Sequence, residues 1–123
     1  MRRALLATAV LLALTIGSPL EAEAQTRASI TVSPAQPHFG DTLTFAVDAG
    51  TSQPYVTAFC WQGGKLWFYE THPYFAPYLP NSEAFVLPAS LMPGTAASCT
   101  ARVYKVAKNG VRLLAETTFT IQP

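Results

Sequence analysis

The sequence predicts an all-β sandwich of seven to eight antiparallel strands, and three observations carry that prediction. From residue 28 onward, short runs of β-favouring residues alternate with turns rich in Pro and Gly. No run long enough for a helix keeps a helical period. The chain beyond its amino-terminal leader has the length of one domain with one modest core.

The leader comes first. Arg2 and Arg3 precede an uncharged, largely apolar run from Ala4 to Ile16, which is too short to cross a bilayer as a helix. Gly17, Ser18 and Pro19 break the run, and Ala22-Glu23-Ala24 supplies the small-x-small pattern of a signal-peptidase site. Residues 1–24 are therefore expected to be a cleaved secretory signal peptide, with a single domain over 25–123 and a secreted or periplasmic location. Removing residues 1–24 of the 123 leaves 99, with six basic and five acidic side chains. That near-neutral balance gives no electrostatic case for nucleic acid as a partner.

The strands follow in order. Ser29 to Ser33 sets Ile30 and Val32 on one face, and Pro34, Pro37 and Gly40 mark the turn after it. Asp41 to Asp48 points Leu43, Phe45 and Val47 inward. After a loop over Gly50 to Pro54, Tyr55 to Gln62 and Lys65 to Thr71 form a pair joined by Gly63-Gly64, whose freedom in φ suits a two-residue hairpin. Ala84 to Leu87 is a short strand, and Ala97 to Val106 and Val111 to Ile121 are long ones separated by a turn at Asn109-Gly110. In the last of them Leu113, Ala115, Thr117, Phe119 and Ile121 share one face, which parity assigns to the core. A small closed barrel is the alternative arrangement of the same strands.

The segment Ile30-Thr31-Val32-Ser33-Pro34, followed by Gly40-Asp41-Thr42-Leu43-Thr44-Phe45, resembles the opening of bacterial extracellular immunoglobulin-like domains. In layout the resemblance spans nearly all of the chain after the leader. It implies an immunoglobulin-like antiparallel sandwich, with a role in adhesion, scaffolding or recognition. The chain departs from antibody-type domains in two places. The first cysteine, Cys60, falls on the third strand beside Trp61 instead of on the second, and Ala97 stands where a corner tyrosine precedes the second cysteine, Cys99. In that layout the strands bearing Cys60 and Cys99 are neighbours in one sheet, so a bridge would join them side by side.

Two cysteines in an exported chain are expected to pair, since an oxidising compartment lets a bridge persist. Closing a loop of that span restricts the unfolded chain by about 4 kcal/mol in the loop-entropy model. Without a Cys-x-x-Cys the bridge reads as structural. His38 and His72 stand alone, without the spacing of a zinc pair, and no metal site or cofactor is expected. No Gly-x-Ser-x-Gly is present, and nothing in the sequence selects two carboxylates for acid–base work, so no catalytic residues are assigned and no enzyme is expected.

Aromatic density is the unusual feature, because ten of the fourteen aromatic residues lie between Tyr55 and Phe85. A core of this size does not need them all. Inward Cys60 turns Tyr55, Phe59 and Trp61 outward, with Arg102 and Tyr104 outward from the neighbouring strand. Trp67 and Tyr69 share a face of the Lys65 to Thr71 strand. The segment His72 to Pro80 holds Tyr74, Phe75 and Tyr78 among three prolines, too apolar for a purely solvated loop. It either folds back as a lid or offers a binding surface for an extracellular protein, peptide or glycan. The expected binding residues are Trp61, Trp67, Tyr69, Tyr74, Phe75, Tyr78 and Tyr104. The basic residues Arg102, Lys105, Lys108 and Arg112 cluster on the last hairpin, as a solvated tip or an anion contact. A non-catalytic recognition or adhesion module is the expected function, with a self-assembling surface subunit or a small inhibitor as alternatives.

Overall fold

Small side chains on the two central strands of one sheet, facing large ones on the other sheet, decide how this chain packs. The computed structural model describes residues 28–123, and the expected signal peptide lies outside the described residues. The strands are β1 (Ser29–Ser33), β2 (Thr42–Asp48), β3 (Tyr55–Gln62), β4 (Lys65–Pro73), β5 (Phe85–Val86), β6 (Ala97–Ala107) and β7 (Gly110–Ile121), with a 3₁₀ turn at Asn81–Glu83. They form two antiparallel sheets, β1-β2-β5 and β4-β3-β6-β7. Seven strands in two sheets are present among the described residues, so the count is seven and the closed barrel is not the arrangement found.

Down the inner face of β3 and β6, Val56 opposes Val103, Ala58 opposes Ala101 and Cys60 opposes Cys99. All six are buried. These short side chains make room for Leu43, Phe45 and Phe85 of the facing sheet, and the Phe45 and Phe85 rings meet edge to face at 5.2 Å. Ile30, Phe119 and Ile121 complete the same core, so both sheets close on one apolar layer. Cys60 and Cys99 are bonded within that layer, with Cα atoms 4.0 Å apart. The bridge runs side by side within one sheet, as the layout implied.

Gln62 opposes Lys65, which leaves Gly63 and Gly64 as a two-residue connection with φ of 59° and 78°. Both lie in the left-handed region that a mirror-type hairpin turn demands. At the opposite corner Gln122 donates to the carbonyl of buried Pro37 at 2.8 Å, tying the β1–β2 connection to the end of β7.

Two bulges correct the expected parity. The β3–β4 register steps from Cys60 opposite Phe68 to Trp61 opposite Leu66, so Trp67 is the inserted residue. Trp67 and Phe68 both pack on the core while Leu66 and Tyr69 are exposed; Trp67 and Tyr69 therefore do not share a face. The β6–β7 register steps from Val103 opposite Ala115 to Tyr104 opposite Leu113, which inserts Leu114. Leu114 takes the core side and Leu113, expected inside, is 54% exposed. An extra residue advances side-chain alternation by one, and every position beyond it changes face.

Candidate functional site

The outer face of β4-β3-β6-β7 is concave and lined by rings. Phe59, Trp61, Leu66, Tyr69, Tyr104, Val111 and Leu113 wall a groove of about 540 Å³ with Thr57 and Arg102 at its floor. Thr57 is buried there, its hydroxyl 2.7 Å from that of Thr71 on the next strand. The Arg102 guanidinium lies 5.2 Å from the centre of the Phe59 ring and donates through Nε to Glu116 on the cross-strand neighbour. An ion pair and a ring face thus both contact the half-exposed Arg102 guanidinium, beside Thr57, between largely apolar walls.

A row of rings leads from this groove to the loop beyond β4. Tyr104 and Tyr55 stack at 5.8 Å, Phe75 meets Tyr55 edge-on at 5.4 Å, and Tyr78 meets Phe75 edge-on at 5.4 Å. Of the residues expected to bind, Trp61, Tyr69 and Tyr104 therefore lie in the groove, and Phe75 and Tyr78 continue it. Trp67 and Tyr74 do not join them. The bulge turns Trp67 inward, where Nε1 donates to the Ala89 carbonyl at 3.0 Å and the ring meets Phe39 edge-on at 5.0 Å.

Tyr74 is a core residue, 7% exposed. Its hydroxyl accepts from the Phe45 N–H at 3.2 Å and donates to the Glu83 carbonyl at 3.3 Å. Burial pushes the phenol up to about 12, against the pull of the Phe45 N–H and with a smaller push from the Glu83 carboxylate. Tyr74 thus anchors the loop to the core, while half of Tyr78 stays exposed.

Tyr55, Phe59, Leu66, Val111 and Leu113 join the surface although they were not among the expected binding residues. Period-two alternation with Trp61 on one strand was signal enough for Tyr55 and Phe59. Leu66 and Leu113 carried none, because their exposure depends on the bulges.

His72 stacks on Phe85 at 3.8 Å, with Nδ1 2.7 Å from the Ser82 carbonyl and Nε2 3.0 Å from Glu70. It tethers the 3₁₀ turn to β4. Among the described residues no group of three or more His, Cys, Asp or Glu could hold a metal ion, and no helix is long and apolar enough to cross a membrane. No family model, curated protein or solved structure matches the chain. What defines it is an all-β domain of two sheets and one cross-strand disulfide, with an aromatic groove on the outer face of its larger sheet.

Proposed function

We propose that the chain is an exported, non-catalytic recognition or adhesion module of immunoglobulin-like type that engages an extracellular partner through the outer groove of its four-stranded sheet. One observation carries this reading: of ten large hydrophobic residues exposed among the described residues, five (Trp61, Leu66, Tyr69, Val111 and Leu113) line that single groove. Scattered exposed apolar residues need no explanation, but a contiguous patch with an arginine on its floor has the make-up of a binding surface. The strand order β1-β2-β5 against β4-β3-β6-β7 supports the immunoglobulin-like assignment. The buried disulfide supports an oxidising compartment, secreted or periplasmic.

The aliphatic rim of Leu66, Val111 and Leu113 favours a second reading, in which the groove meets another copy of the chain. Binding of the purified domain to glycan and peptide arrays and to whole cells, measured beside Trp61→Ala and Tyr69→Ala variants of equal stability, tests the first. Sedimentation across a concentration series tests the second. Equal retention by all three proteins, with a monomer at every concentration, overturns both.

A further inference from the structure

The smaller sheet carries an unfinished edge. Leu87 N–H donates to the Asp41 carbonyl at 2.9 Å, so the odd-numbered residues of β2 turn their backbone groups toward β5 while the even-numbered ones turn toward β1. β5 pairs only Thr42 with Val86 and Leu43 with Phe85. Continued by two residues, that register would set Glu83 opposite Phe45. Instead the chain leaves the sheet in the Asn81–Glu83 turn, and the Tyr74 hydroxyl stands in the gap between the Phe45 N–H and the Glu83 carbonyl.

Beyond that hydroxyl the edge is bare. The Phe45 carbonyl, the Val47 N–H and carbonyl, and the Ala49 N–H have no hydrogen-bond partner among the described residues. They border a trough of about 560 Å³, walled by Tyr74, Phe75 and Leu79 on one side and closed by Thr51 to Pro54 at its far end. Glu83 is the one acidic residue on its wall, and no basic residue lines it.

We infer that this trough accepts an extended peptide segment of a partner protein, which adds to the β2 edge antiparallel to β2 in the line that β5 abandons. Alternating backbone donors and acceptors at strand spacing are the complement of another strand. The edge from Phe45 to Ala49 is about 13 Å long, room for roughly five extended residues. Antiparallel entry brings the segment's carboxyl end toward Tyr74 and Glu83, where a Lys or Arg side chain meets the carboxylate. The trough borders the sheet opposite the outer groove, and the two share only Phe75, which walls the trough and continues the ring row from the groove.

Titration of the ¹⁵N-labelled protein with the peptides acetyl-TVTVK-amide and acetyl-TVTVE-amide tests the proposal. The lysine peptide should shift the Val47 and Ala49 amide signals saturably, with the glutamate peptide weaker by about fivefold or more, the worth of one charge-assisted contact. Glu83→Gln should erase that difference. Val47→Pro removes an outward N–H, leaves the bonds to β1 in place and should weaken binding about fivefold. If that variant misfolds, Ala49→Pro makes the same test at the end of the strand. Shifts confined to Phe59 and Tyr69, no shift at all, or slow hydrogen exchange at Val47 in the free protein would each overturn the inference.

Discussion

Replacing Gln62 with Leu should destabilise the domain by about 2 to 3 kcal/mol although the side chain touches no candidate binding residue. Gln62 ends β3 and is 1% exposed. Its Nε2 faces Ser90 Oγ at 2.9 Å, the Met92 carbonyl at 3.2 Å and the Thr95 carbonyl at 2.8 Å, while Oε1 accepts from the Leu91 N–H at 3.0 Å. An amide has two hydrogens for three acceptors, so about three bonds' worth of interaction is made, near 1 kcal/mol net for each. Leu91 and Met92 are exposed, so water replaces part of the loss and the estimate falls short of the full sum. The segment from Pro88 to Ala96 has no strand of its own, and this carboxamide takes the place of an apolar anchor. Thermal unfolding should shift down by roughly 10 to 20 °C for a domain of this size. Denaturant titration should show a lower midpoint with an unchanged slope, and the Leu91 amide should exchange faster. Gln62→Glu keeps the shape but gives up both amide hydrogens when ionised, and should also lower the midpoint. A loss under about 0.5 kcal/mol for Gln62→Leu, within the range of an ordinary surface change, would refute this account of the loop.

Tyr74 predicts an alkaline transition: its folded pKa is raised above the ordinary 10 to about 12, so the stability it contributes is complete below pH 10 and is lost as pH climbs through 12. The loss should approach roughly 2 to 3 kcal/mol and vanish in Tyr74→Phe, which itself costs about 1 to 3 kcal/mol at neutral pH; equal alkaline profiles for the two proteins would contradict the assignment. Cys60 and Cys99 should yield no alkylatable thiol in freshly purified, unreduced protein, and the double Ala variant should lose about 4 kcal/mol, as read by denaturant titration, for a loop of 39 residues' separation. Trp61→Ala and Trp67→Ala should separate binding from folding. The first should cost under about 1 kcal/mol and lose partner retention, and the second should cost about 3 kcal/mol and keep retention once folded, by parallel melting and array measurements.

Alternation made the strands legible, and it failed at two residues. Ile30, Leu43, Phe45 and the inward row of β3 follow from period two because nothing interrupts those strands between one turn and the next. The cysteine pairing was legible too, since the facing positions of β3 and β6 keep step from Val56 to Cys60. Trp67 and Leu114 could not be placed this way. A bulge is a relation between two strands, so one strand's residues show no sign of it, and neither site contains the glycine that marks some bulges. Tyr74 escaped for a similar reason: a tyrosine among prolines reads as loop, and only the late start of β5 leaves the gap its hydroxyl fills.

The two bulges also account for the groove. They lie on β4 and β7, the outer strands of the sheet, on either side of the unbroken β3–β6 pair. At each, the inserted side chain, Trp67 or Leu114, packs on the core, and the residue before it in the chain, Leu66 or Leu113, is released to the outside. The result is an apolar wall along both margins of a floor made by Thr57 and Arg102. Strict alternation through β4 and β7 would set Leu66 on the core side with Phe68 and Leu113 with Ala115, and the same sheet would present Phe59 and Tyr69 on an open surface with no margins. The aliphatic margins of this site, Leu66 and Leu113, therefore come from two inserted residues that do not line it.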